Sequence, residues 1–262
     1  MNSRIAVLMY HEISPYPQRL RTIRSMHPAY CVKLADFEQQ LQLLAEGHYR
    51  TLRIEELDGK TRSNANAVAL TFDDGLAGNY AYAFPELSKA GFHATFFVAA
   101  NLVGKQDYMN WNQLRELSGA GMSIESHCLD HHPLTTLCDD EIRRQLRDSK
   151  ATIEEKIGTP VTCVSFPHGS YNRRILDTAE QLGYDMFVTS DLGYYSNGKI
   201  IPRCVVPDTI IPERFSKLIE CSERAILFDR LRQACTRKIK ALVGLNRYRK
   251  FYRHAFRIQL PK

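Results

Sequence analysis

Short apolar runs recur along the chain at 5–9, 68–72, 94–98, 123–126, 162–166, 186–189 and 203–206. Each has the length of a strand. Between most of them, apolar residues return three or four positions apart, the spacing of a helix face. Phe37, Leu41 and Leu44 follow a candidate N-cap, Asp36, and Gly47 closes the pattern. Pro85-Glu86-Leu87 leads to Gly91. Trp111, Leu114 and Leu117 precede Gly119 and Gly121. Ile142, Leu146 and Ile153 follow Asp139 and stop at Gly158-Thr159-Pro160; Ile175, Ala179 and Leu182 follow Asn172 and stop at Gly183. Strands alternating with helices of this length predict parallel strands joined by helical crossovers. Seven such strands suit an α/β barrel better than a small open sheet. Residues 14–32 and 58–66 read as loops. No GxGxxG follows the first strand and no GxxxxGK[ST] occurs, which disfavours dinucleotide-binding and P-loop folds.

Composition adds limits. The 262 residues are 44% hydrophobic and 24% charged, as in globular proteins and unlike disordered or fibrous chains. No apolar run approaches the ~18–20 residues of a membrane span. The apolar stretch before His11 and Glu12 is too short for a secretory signal, so a cytoplasmic location is expected. The seven cysteines are odd in number, irregularly spaced and without a CxxC, against a disulfide framework or a cysteine zinc site.

Charge is uneven. The net charge is +6, yet 226–262 holds eleven Lys and Arg against Asp229 alone, leaving 1–225 at −4. The expected organisation is a barrel over 1–225 and a basic, amphipathic extension over 226–262. Basic and apolar residues together suit peripheral contact with an anionic membrane at its inner face, or else a solvated C-terminal helix packed on the barrel. No nucleic-acid partner is expected.

Candidate chemistry gathers at strand ends. His11 follows the first strand, Asp73 and Asp74 the second, His127 the fourth, and Pro167-His168-Gly169 the fifth. In a βα barrel the C-terminal strand ends share one rim, which carries the active site. Adjacent carboxylates such as Asp73 and Asp74 need a positive charge to divide their duties: one ligates a metal while its neighbour remains a base. His127 and His131 are four apart, which on a helical turn puts both on one face. Asp, His and His leave coordination positions open, the catalytic type of site. His132 reads as structural.

Together, Thr71-Phe72-Asp73-Asp74-Gly75, His127-xxx-His131 and Phe166-Pro167-His168-Gly169-Ser170-Tyr171-Asn172 resemble the first three motifs of the polysaccharide deacetylases, the NodB-homology group or carbohydrate esterase family 4. The resemblance spans about residues 4–210. It implies a distorted, TIM-like (β/α)7 barrel and hydrolysis of a sugar N-acetyl, sometimes O-acetyl, group with one divalent metal. Zinc is expected, with cobalt, manganese or nickel as alternatives. By position, Asp74, His127 and His131 would hold the metal. Asp73 would deprotonate metal-bound water, and the His168 N–H would help hold the oxyanion.

Two departures matter. The family's motif arginine is absent beside Phe166-Pro167, and Arg203 is the candidate to orient Asp73. The late Leu-x-His is also absent, so His11 is the candidate general acid, with His168 second. Pro167, Gly169, Tyr171, Trp111 and Arg203 are candidate substrate-binding residues, and Tyr10 and Glu12 could join the groove. The substrate expected is an acetylated glycan of bacterial surface-polysaccharide or lipid-linked precursor synthesis. The rival readings are a deacylase of another small amide on this fold, or a decayed barrel that binds glycan without turnover.

Overall fold

The computed structural model describes residues 4–16, 30–57 and 66–243. In chain order the elements are β1 (Ala6–Tyr10), β2 (Glu12–Ser14), β3 (Cys31–Lys33), α1 (Leu34–Glu46), β4 (Arg50–Leu52), β5 (Ala67–Phe72), α2 (Phe84–Ala90), β6 (Thr95–Val98), α3 (Trp111–Gly119), β7 (Ser123–Ser126), α4 (Asp139–Ile157), β8 (Cys163–Ser165), α5 (Arg173–Gln181), β9 (Met186–Leu192), β10 (Ile200–Val205), α6 (Pro212–Ile219) and α7 (Glu223–Val243).

Seven parallel strands close a barrel in the order β1-β10-β9-β8-β7-β6-β5, with β1 pairing β5 along Ala6↔Val68 to Tyr10↔Phe72. The seven expected strands are these seven. β4 pairs only the start of β5, Arg50↔Ala67 to Leu52↔Ala69, while β6 takes its end, Thr71↔Thr95 and Phe72↔Phe96. Part of the expected loop 14–32 is strand instead: Glu12 pairs with Cys31 and Ser14 with Lys33. These three-residue runs are too short for alternation to reveal them. Residues 17–29 and 58–65 of the expected loops lie outside the described residues.

Alternate residues face opposite sides of a strand, and two buried clusters divide accordingly. Ala6, Leu8, Val68, Leu70, Phe72, Phe96, Val98, Val164 and Phe187 join the core beneath the helices. Val7, Ala69, Phe97, Cys163, Val188 and Ile201 fill the barrel, with Leu52, Ile54 and Leu57 in the same cluster. The interior parity then brings Thr71 and Asp73 above Ala69, His127 above Glu125, Ser165 above Cys163 and Arg203 above Ile201. A floor that is apolar except for buried Glu125 therefore carries a polar upper layer.

Helix ends follow local chemistry. Asn172 caps α5, its Oδ1 accepting from the Ile175 N–H at 3.1 Å, and Asn110 caps α3 through Asn112 and Gln113. Asp36 does not cap α1: β3 runs straight into the helix, Lys33 is the cap residue, and Asp36 sits in the first turn. All seven cysteines are unpaired. Among the described residues no helix is long and apolar enough to cross a membrane. α7 spans the expected 225/226 division. Its first turns hold the barrel through an Arg4–Glu223 ion pair and through Ile226, 1% exposed. Residues 244–262, and with them most of the basic extension, lie outside the described residues.

Candidate metal and catalytic site

Asp73 and Asp74 leave β5 in opposite senses. Asp73 continues the inward parity, its N–H donating to the Tyr10 carbonyl at 3.0 Å. Asp74 has a φ of 75° and Gly75 one of 78°, so the chain turns sharply through two left-handed residues. Positive φ at Asp74, Cys128, His131 and His168 concentrates non-glycine backbone strain around the rim.

The Asp74 Oδ1 lies 3.3 Å from His127 Nε2 and 3.0 Å from His131 Nε2. The two histidines do not share a helical turn. They stand in an irregular loop after β7, where left-handed Cys128 and His131 fold the segment back. Their rings are 4.9 Å apart. His127 Nδ1 is 2.8 Å from the Ser165 carbonyl. A carbonyl only accepts, so Nδ1 carries the proton, and a neutral His127 turns the lone pair of Nε2 toward Asp74. Asp74 Oδ1 is buried and has no hydrogen-bond partner of proper alignment. Lone pairs facing one another in a buried site require a cation between them. The donor atoms of Asp74, His127 and His131 all lie within 4.8 Å of one another. Two imidazoles and one carboxylate suit zinc and its divalent neighbours, so the residues present fit a divalent ion.

Asp73 is held by Arg203. The guanidinium donates Nη1 to Asp73 Oδ1 and Nη2 to Asp73 Oδ2, each at 2.7 Å. Its other donors go to Thr71 Oγ1 at 3.1 Å, Ser165 Oγ at 3.0 Å and the Thr189 carbonyl at 2.9 Å. All five N–H groups of the fork are engaged. Ser165 Oγ also donates to Asp73 Oδ2 at 3.3 Å, and the guanidinium lies over the Phe97 ring at 5.8 Å. Burial pushes the Asp73 carboxyl up, but the Arg203 guanidinium outweighs it and holds the pKa below the ordinary value. Burial likewise opposes ionisation of Asp74; positive charge on the His127 and His131 side, as imidazolium protons or as a cation held among the three residues, brings it well below the carboxylate range.

Arg203 is 1% exposed with its fork fully bound, so it has no face left for substrate; that part of its expected role is corrected. Thr71, Ser165 and Thr189 were not singled out from sequence. For Thr71 and Ser165 the signal was parity, Thr71 being two residues before Asp73 and Ser165 two after inward Cys163; Thr189 lends only its backbone carbonyl, which no side-chain pattern marks.

His11 stands at the mouth of β1, its ring stacked on Tyr30 with centroids 4.6 Å apart. Its Nδ1 is buried without a hydrogen-bond partner. Burial lowers its pKa, while Asp74 and Asp73 pull it back up. His168 is exposed in the Pro167–Gly169 turn, its ring 4.7 Å from His131. Gly169 has a φ of 61°, and a Cβ there would stand 2.9 Å from Ser190 Cβ, so glycine lets this turn close on β9. Tyr171 is half-buried, stacked on Phe166 at 5.6 Å with its hydroxyl donating to Asp191 at 2.8 Å. Trp111 begins α3 half-buried against the outer core. Tyr10 and Glu12 are not groove residues. Tyr10 points outward into the core, stacks on Phe72 and donates to Gln40 at 2.8 Å. Glu12 is 3% exposed and accepts from the Ile13 N–H at 3.1 Å. His132 is exposed.

The family profile for polysaccharide deacetylases matches residues 60–187. The Bacillus subtilis protein YxkH is 33% identical over 195 residues, 73% of this chain and 66% of that protein. The peptidoglycan-N-acetylglucosamine deacetylase PgdA of Listeria monocytogenes is 26% identical over 151 residues, 56% of this chain and 31% of that one. The Streptococcus pyogenes deacetylase PplD, solved with acetate, superposes with a TM-score of 0.75 at 26% identity, covering 84% of this chain and 99% of that one. A polysaccharide deacetylase of Bacillus cereus shares the fold, with a TM-score of 0.74 over 83% of this chain and 69% of that one, at 23% identity. A closed seven-stranded parallel barrel with two aspartates and two histidines on its rim is the frame on which these similarities fall. This chain belongs to the polysaccharide deacetylase family. It spans just under two thirds of YxkH and about a third of PgdA.

Proposed function

We propose that this chain is a metal-dependent hydrolase that removes an N-acetyl group, or an O-acetyl group, from a sugar of a bacterial surface polysaccharide or lipid-linked glycan precursor. The observation that carries the reading is a buried, ionised Asp73 clamped by Arg203 beside the Asp74–His127–His131 cluster. Amide chemistry is favoured because the Listeria relative is named for N-acetylglucosamine deacetylation.

Asp74, His127 and His131 would hold one divalent ion, with zinc favoured by the nitrogen-rich donor set. When bound, the ion supplies Lewis acidity toward the acyl carbonyl and toward water. Asp73 acts as the general base. A carboxylate offers about four acceptor sites, and Arg203 and Ser165 take three of them on Asp73. The remaining site receives the proton of the attacking water. Arg203 fixes both the ionisation and the plane of the base, so it is a positioning residue. His11 protonates the leaving nitrogen through Nδ1, the buried atom without a protein partner. The Pro167–Gly169 turn, closed on β9, forms the wall on which the acyl oxygen rests.

Acetate release from N-acetylglucosamine oligomers and from peptidoglycan fragments tests the reading. Zinc-loaded protein should release acetate, and chelator-treated protein should not until the metal is restored. No release from either substrate by loaded protein, with the metal shown to be bound, would overturn it and favour a glycan-binding barrel.

A further inference from the structure

The outward face of α7 is the place on the described surface where large apolar side chains cluster in the open. Leu227 is 53% exposed, Phe228 76% and Leu231 58%. With 3.6 residues per turn, successive side chains stand about 100° apart. Leu227, Leu231, Arg224, Cys235, Phe228 and Arg232 then occupy one arc of about 140°, and all six are exposed. The opposite arc faces the protein: Ile226 is buried, and Gln233 donates Nε2 to the Ser190 carbonyl at 2.8 Å while its Oε1 accepts from the Leu192 N–H at 2.9 Å. The helix is therefore clamped to the barrel, and its apolar arc has no covering from the described chain.

Charge identifies the occupant. The acids of the helix are already matched: Glu223 pairs with Arg4 and Arg230, and Asp229 with Arg214. Arg224 and Arg232 flank the apolar trio. From 236 to 262 the sequence adds nine Lys and Arg and no acid. A soluble acidic protein would match the charge but would also have to expose an apolar patch of its own to cover Leu227, Phe228 and Leu231. A bilayer with anionic headgroups offers an apolar layer beneath a negative plane. We infer that this face of α7 is a docking surface for an anionic lipid bilayer. Gln233 ties it to the β9 segment at Ser190, against which Gly169 of the rim turn packs, so docking holds the lipid surface near the catalytic mouth.

Vesicle co-sedimentation of the full chain tests this, using phosphatidylcholine alone and with phosphatidylglycerol. Binding should be at least tenfold stronger with phosphatidylglycerol, weaken as salt rises, and fall at least tenfold in L227A/F228A/L231A. Circular dichroism should be unchanged in that variant, because the three side chains are exposed. In F228W, emission should shift to the blue on phosphatidylglycerol vesicles only, which reads the face without disrupting it. Equal binding by wild type and the triple variant, or no emission shift, would overturn the inference. So would a dimer in ultracentrifugation that the triple variant dissociates, with no vesicle binding, since the face would then meet a second copy of this chain.

Discussion

Arg203 and Asp73 come from β10 and β5, the two strands on either side of β1, and meet inside the barrel through two hydrogen bonds of 2.7 Å. The pair therefore crosses β1 and ties the ends of the sheet together where it closes. Both partners are buried, and a buried charge that loses its partner is costly, about 3–5 kcal/mol.

Arg203→Ala should accordingly lower the unfolding free energy by about 3–5 kcal/mol, read by urea denaturation. Arg203→Lys should recover part of the stability and little of the activity. An ammonium supplies charge but cannot serve five donors in a fixed plane. Equal turnover for Arg203→Lys and wild type would show that the plane of Asp73 is set by something else.

Base and metal ligands should separate cleanly. Asp73→Asn should retain about one divalent ion per chain by elemental mass spectrometry while acetate release falls about 10²–10⁴-fold, the range of a general base. His127→Ala should lose the ion. Metal retained in His127→Ala would remove that histidine from the ligand set.

The two candidate acids can be ranked by substitution. His11→Asn should lower kcat about 10²–10⁴-fold with metal content unchanged, and should remove the alkaline limb of the rate profile. His168→Ala should cost less than tenfold. The reverse order would assign the leaving-group proton to His168.

Glu12 gives a stability signature. Burial pushes its carboxyl from 4.5 up to about 8, with Asp107 and Asp74 adding to the rise, against the Ile13 and Gly78 N–H groups. The folded chain thus keeps a proton that the unfolded chain releases, so stability falls as pH rises from about 4.5 to about 8. Glu12→Gln keeps an oxygen for both N–H donors and carries no charge. Its stability should change less across that window, by a difference on the order of a few kcal/mol, measured by urea denaturation at pH 5 and pH 8. Parallel curves would mean that Glu12 is ionised in the fold.

Much of this architecture was legible because the barrel strands are apolar runs bounded by glycines and polar turns. That Asp74 and His127 meet was legible because both closely follow strand ends, which topology alone brings to one rim. The HxxxH spacing worked for a different reason than a helix: two left-handed residues fold a loop back, and no spacing rule encodes that. β2, β3 and β4 are three residues each, below the length at which periodicity speaks. Tyr10 and Glu12 misled because a polar tip beside a catalytic strand end reads the same whether it turns to solvent or, as Tyr10 does, toward the outer core. Thr71 was read only as the opening of its motif and Ser165 as an ordinary strand residue; the shared inward parity is what marks their role.

The closure of the barrel also orders events in time. β1, β5 and the two aspartates leave the ribosome early, but Arg203 is made some 130 residues after Asp73. Contacts so distant in sequence form late, because the loop between them must first be closed. Until β10 docks against β1, Asp73 lacks the guanidinium that keeps it charged within the barrel. The clamp on Asp73 is therefore completed only by the last barrel strand to be synthesised.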